Sequence, residues 1–445
     1  MGQKVVIHPV PGENIPYSLE LELDGGRVSN ARCGATALWG PEMILAGKQP
    51  YDALHIVQRS QAYQGVSHAI AAATGLEGLQ QVVPPANGRL LRNILQGLEF
   101  IHAHLIHFYQ VSLPGFLSVN GAPVPGEKLP PTAGQALREH FWQAFAVASE
   151  IHKMMAAFGG KMPFPMSIVP GGVAVQPDYQ KVFNLYSRLK SVVSFIRDIY
   201  IPDIEMLFGV YGEYAVIAPG IRRLYAVGAF PLLDGKNERQ QMFLPAGVVP
   251  GSTGPEVKNV TEDMAYAWFA GADSEPGAYP KAEMKSQAYS WLTALKYSGQ
   301  RCETGPLARM TLAGEGKLSG LGPAAYSVKG RYLARGYESL RLAEKMEEWI
   351  SGLNPKKPAV TGKFKPPEEG EGWAVTEGPG GSIIHRFRLQ DGKIDFYRVF
   401  GAANWNLSPR DGGENRGPLE EALIGTPVAN PQNPVEAIRV FRAFT

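Results

Sequence analysis

Two stretches of the chain alternate between apolar and polar residues about a tight-turn dipeptide. In "YSLELELDGGRVSNARC" the alternation runs on both sides of Asp24-Gly25-Gly26, which predicts a β-hairpin. In "SIIHRFRLQDGKIDFYRVF" it runs around Asp391-Gly392 and predicts a second one near the other end. Between them the hydrophobic period lengthens to that of a helix. Leu91, Leu95, Leu98, Leu105 and Tyr109 fall near one face of the segment 90–109, while Phe100, His104 and Phe108 populate another. A helix apolar nearly all round belongs in a core. Further helices are predicted over 135–158, 179–200 and 327–353, the last two carrying the charge of more exposed elements. Loops rich in Gly and Pro separate them, among them "SVNGAPVPGEKLPP" and the surface excursion "NPKKPAVTGKFKPPEEGEG".

This order predicts an α-rich (α+β) protein, read as one unit over 1–445. It comprises an N-terminal β-hairpin region 1–50, a mainly helical core 51–353 and a β/loop region 354–445, with the two ends of the chain able to meet. A length of 445 residues also allows two or three domains. Hydrophobic residues make up 44% and aromatics 10%, and no run of about 18 apolar residues could span a bilayer. The start "MGQKVVIHPVPGENIP" lacks the pattern of a secretion signal, so the expected location is the cytoplasm, with export alongside a partner bearing its own signal left open. The 43 basic and 41 acidic residues nearly cancel, at +2, without any block of one sign. Nothing therefore predicts a nucleic-acid footprint. The only cysteines are Cys33 and Cys302, far apart and in unrelated contexts, so an iron–sulfur cluster would have to belong mostly to another subunit.

Six segments, in order, carry a resemblance. "GATALWGPEMILAGKQPYDALHIVQRSQAYQGVSHA", "RNILQGLEFIHAHLIHFYQ", "FGGKMPFPMSIVPGGV", "FIRDIYIPDIEML", "YSGQRCETGPLARM" and "WNLSPRDGGENRGPLEEALIGTPVANPQNPVEAIRVFRAF" are similar to blocks of the large-subunit family of nickel–iron hydrogenases. The resemblance runs over essentially the whole chain. It implies the hydrogenase large-subunit fold, a long central helical bundle with small peripheral β-hairpins near both termini. Matched residue by residue, the family's first cysteine pair falls on Gln61 and Gln64, while Arg59 and His68 remain. The second pair belongs to a C-terminal signature that should begin where the chain reads "VFRAFT". The arginine that the family places over the metal is matched by Gly380, and a glutamate of its proton route falls near Asn14, beside Glu13.

Thiolates neutralise and bridge the two metals of such a centre, and a glutamine amide, neutral and hard, does not replace them. The expectation is therefore a non-hydrogenase, NiFe-free large subunit of an electron-transfer complex, itself binding no cofactor. It would pair as a hetero-oligomer with an iron–sulfur small-subunit-like protein, with no membrane span of its own. Gln61, Gln64, His68, Gly380, Ser382 and His385 would line the former metal cavity, empty or turned to an unknown substrate, with Glu42 and Arg59 behind them. Two alternatives stand beside this: a scaffolding pseudoenzyme, and a quinone-binding subunit like the related one of respiratory complex I.

Each singled-out residue also has a plain structural reading. Gln61 and Gln64 are expected to fill and hydrogen-bond the vacated space more than to read a ligand. Glu42 is expected to be a surface or capping glutamate. Of His102, His104 and His107 only the last two share a helix face, and packing is favoured over metal binding. His68 and His385 read equally as proton carriers or as core histidines. "GLEGLQQ" and "GPGGS" lack the context of a phosphate loop. Cys33 is expected to be an inert core thiol.

Overall fold

The computed structural model describes residues 3–11, 15–38, 40–59, 63–121, 123–232, 241–251, 254–270, 281–362 and 364–445. The first hairpin forms as the alternation predicts. Strands β2 (Pro16–Asp24) and β3 (Arg27–Ala35) pair antiparallel with Asp24 opposite Arg27. Gly25 and Gly26 both take positive φ, 54° and 73°, the two-residue turn whose twist matches that of the strands. Leu19, Leu21 and Leu23 point into the core. A third strand, β1 (Gln3–Pro11), lies on β2; it is a largely exposed edge and leaves no clear alternation to find.

The C-terminal hairpin behaves alike. Strands β5 (Gly381–Gln390) and β6 (Lys393–Phe400) join through Asp391 and Gly392, at φ 50° and 70°. Strand β4 (Gly370–Gly378), beginning inside the stretch read as a loop, completes this sheet.

Helices fill the middle: α1 (Pro41–Leu45), α2 (Pro50–Val57), α3 (Gly65–Gln80), α4 (Ala86–Ile106), α5 (Pro131–Gly159), α6 (Tyr179–Phe195), α7 (Ile201–Val210), α8 (Pro306–Leu312) and α9 (Val328–Ser351). The predicted 90–109 helix is α4, buried on nearly every side as expected, followed by wider π-type turns over His107–Ser112. The 179–200 helix does not stop there: similar wide turns over Ile196–Tyr200 lead straight into α7. Helix α9 corrects the reading of an exposed charged element. Arg331, Arg335 and Glu338 are all buried on it, matched by partners from elsewhere in the chain. Helix α3 shows no helical stripe because it is buried all round by small residues; a Cβ at Gly75 would come within 2.6 Å of Phe387 Cε1 on β5.

The two ends of the chain do meet. Val28 donates to the Thr426 carbonyl at 3.0 Å, and Gly47 to that of Ile394 at 2.7 Å. The region 354–445 also holds three helices that no pattern predicted: α10 (Ala402–Asn406), α11 (Pro418–Leu423) and α12 (Val435–Ala443). Among the described residues no helix is long and apolar enough to cross a membrane.

Candidate functional site

The start of α3 and the β4–β5 turn come together at the centre of the molecule. Glu99 of α4 organises the first of these. Its carboxylate accepts from the Val66 and Ser67 amides at 2.6 and 2.9 Å and from Ser67 Oγ at 2.6 Å, closing the first turn of α3 with an anion where the helix dipole favours one. Gln64 precedes that turn and is buried. Its Oε1 lies so close to the end of β4 that a Cβ at Gly378 would stand 2.2 Å from it. One turn further on, His68 Nδ1 is 3.0 Å from His385 Nε2 on β5, the rings stacked with centroids 5.2 Å apart. His385 Nδ1 is 2.9 Å from the Tyr397 hydroxyl on β6. Burial lowers both histidines, His68 to about 3, so both rings are neutral.

Ser382 joins the cluster by donating to Glu377 at 2.6 Å. Gly380, in the β4–β5 turn, borders a cavity of about 90 Å³ together with Glu42, Arg398, Asn404, Phe444 and Thr445. Two predicted residues depart from their expected places. Glu42 is buried, not superficial, and accepts from Arg398 at 3.4 Å and the Val399 amide at 3.3 Å; burial raises its pKa, and Arg398 only tempers the rise. Arg59 is exposed and lies over Phe164, ring centroid at 5.2 Å, instead of backing the cluster. Gln61, Glu13 and Asn14 lie outside the described residues.

The strongest electrostatic feature was not among the predicted residues. Arg309 of α8, with no exposed surface, forks onto Glu338 of α9 at 2.6 and 2.7 Å and reaches Glu377 at 2.8 Å. Its remaining hydrogen bonds hold the β4–β5 turn: the Gly378 and Pro379 carbonyls both accept at 2.9 Å. His104 of α4 completes the group, its Nε2 2.7 Å from Glu338. Burial would raise the Glu338 carboxyl, but Arg309 and His104 outweigh it and hold it at about 2. Glu377 is raised by burial, with Arg309 opposing. A fixed cation thus sits directly behind the turn that carries Gly380. The signal was present in "GPLARM", one arginine in an apolar run, yet such a run does not name its counter-ions.

His102 on α4 and His107 in the wide turns that follow it serve as packing groups. His102 lies against His152, centroids 4.3 Å apart, and His107 meets the Arg442 carbonyl at 2.7 Å. Among the described residues no group of three or more His, Cys, Asp or Glu could hold a metal ion. Both cysteines are free and buried: Cys33 beside Glu420, and Cys302 in the cluster around Tyr225 and Trp405, its thiol pushed up to about 11 by burial. Around Gln64, then, stand an amide, imidazoles committed to one another and carboxylates committed to Arg309. That donor set does not fit a thiolate-bridged bimetallic centre.

Comparison with known proteins places these observations. A family model described as nickel-dependent hydrogenase matches residues 39–123 and 124–445. The chain is 30% identical to the periplasmic [NiFeSe] hydrogenase large subunit of Desulfomicrobium baculatum, over 99% of this chain and 93% of that protein. It is 26% identical to the hydrogenase-1 large chain of Escherichia coli (strain K12), over 100% and 94%. Among solved structures, the Ni-Fe-Se hydrogenase from Desulfovibrio vulgaris Hildenborough in the as-isolated oxidized state superposes with a TM-score of 0.93 at 31% identity, covering 100% of this chain and 98% of that one. These relatives are named large subunits or large chains, terms for a member of an assembly of unequal subunits.

Proposed function

Because the chain belongs to the nickel-dependent hydrogenase family, we propose that it is the large subunit of a hydrogenase-class oxidoreductase, paired with an iron–sulfur small-subunit partner. The expectation of a non-hydrogenase chain, whether electron-transfer subunit, scaffold or quinone binder, is overturned by relatives that are hydrogenase large subunits over the full length. The expectation that it binds no cofactor falls on the same ground, since the family is described as nickel-dependent and two of these relatives are nickel–iron–selenium hydrogenases by name. The observation that carries the proposal is the extent of the match, from the N-terminal sheet through the buried turn clamped by Arg309.

The described donor set does not supply the thiolates of such a centre, so no step is derived through a metal. What the chain's own residues do is hold a buried, polar site. Arg309, its charge balanced by Glu338, clamps the β4–β5 turn, Glu99 orders the start of α3, and the Gln64 side chain lies buried against the end of β4. Charges excluded from water act strongly on any charge that develops nearby.

The test is co-expression with the small-subunit partner, followed by hydrogen-dependent reduction of a viologen dye and nickel analysis of the purified assembly. Dye reduction with stoichiometric nickel supports the reading. A folded, partnered assembly that shows neither overturns it.

A further inference from the structure

His102 and His152 meet across the contact between α4 and α5, ring centroids 4.3 Å apart and ring planes tilted by 33°. Ring lies against ring, yet the donor atoms are unused. No ring nitrogen of either has a hydrogen-bond partner among the described residues, and none is among the fully buried polar atoms left without one, so each keeps some access to solvent. The other described histidines of the helical core differ. His68 is spent on His385, His104 on Glu338, His107 on the Arg442 carbonyl and His140 on Asp203.

Both rings are neutral at ordinary pH. Burial lowers His102 to about 3, with His152 adding to the effect, and burial lowers His152 in the same direction. A neutral imidazole with a free nitrogen is a ready ligand for a borderline transition metal, and it binds without first losing a proton. The spacing suits one shared ion. With metal–nitrogen bonds of about 2.0–2.1 Å, such an ion stands about 3.2 Å from each ring centroid. Centroids 4.3 Å apart then subtend about 85° at the ion, near the right angle between adjacent positions of a tetragonal copper or nickel site. Among the described residues no third His, Cys, Asp or Glu completes a group of three, which leaves the remaining positions to water.

We propose that His102 and His152 form an exchangeable site for a divalent transition-metal ion, one nitrogen of each ring binding side by side and bracing α4 to α5. The site uses none of the residues placed around Gln64, and it does not depend on the proposed function. No redox step is involved. Copper should bind more tightly than nickel or zinc, the order that nitrogen ligands impose on these dications.

The experiment is titration of the full chain in its assembly with cupric ion, after dialysis against a chelator, in wild type, His152→Ala and His102→Gln. Wild type should take up one cupric ion per chain that both variants lose, with an electron paramagnetic resonance signal split by two nitrogens. The bound ion should also raise the thermal midpoint of wild type alone. Equal uptake by wild type and either folded variant overturns the proposal. A second measurement needs no variant: cupric ion should protect both His102 and His152 of wild type from carbethoxylation by diethyl pyrocarbonate, read by peptide mapping. Unchanged modification of either histidine at saturating copper overturns the proposal as well.

Discussion

Arg309 shows how a single side chain is committed by its surroundings. Its guanidinium stands over Phe100, 4.9 Å from the ring centroid, and every direction in its plane is taken by a carboxylate or a carbonyl. Removing one member of a buried ion pair leaves the other without compensation. Arg309→Met should therefore cost about 3–5 kcal/mol of stability in urea melts, and a loss below about 1 kcal/mol would mean that Glu338 and Glu377 had regained water. Acid sensitivity follows from the buried imidazoles. His68, fully buried, and His102, half-buried beside His152, are held at about 3, chiefly by desolvation, against an ordinary 6.5, so the unfolded chain binds their protons first. Their contribution is complete above about 6.5 and falls as pH drops towards 3, by at most about 1.4 kcal/mol per pH unit for each ring. Glu338, held at about 2 against 4.5, adds a further loss as pH falls below its ordinary value. Denaturant melts between about pH 7 and pH 5 should show declining stability, and a flat profile would contradict neutral, buried histidines.

At the scale of elements, the hairpins and α9 mark two extremes of legibility. Asp24-Gly25-Gly26 and Asp391-Gly392 announce their turns because positive φ is a local demand that few residues meet, and alternation on either side sets which face is buried. Helix α9 announces its helicity but not its burial, since Arg331, Arg335 and Glu338 read as a solvated face until their partners are known. Its start is nonetheless written locally. Ser327 accepts from the Gly330 amide at 3.2 Å, and Ser327→Ala should lower stability by about 1 kcal/mol. Gly330→Ala should cost more, because its Cβ would stand 2.0 Å from the Ala325 carbonyl oxygen, which is backbone and cannot swing aside. Thermal melts of the two variants, ranked in the opposite order, would contradict this account of the helix start.

Across the whole molecule, the C-terminal segment is fastened to α9 by long-range contacts. Arg331 pairs with Glu303 at 2.7 Å and stacks on Phe444 at 3.9 Å, while Arg335 donates to the Ala443 carbonyl at 3.2 Å. Deleting residues 435–445 should uncover these buried cations and speed amide hydrogen exchange through α9; unchanged protection there would show that α12 is only an appendage. The sequence by itself determined the two hairpin turns, the buried α4, the family through its ordered blocks, and the glutamines at positions 61 and 64, because period, turn chemistry and residue identity are local properties of a chain. Only the tertiary structure decided that Glu42 is buried while Arg59 is exposed, that Arg309 holds the β4–β5 turn, and that His68, His385 and Tyr397 stand in line. A charge or an imidazole can be buried only where a partner waits, and those partners come from segments distant in sequence, whose meeting no local pattern records.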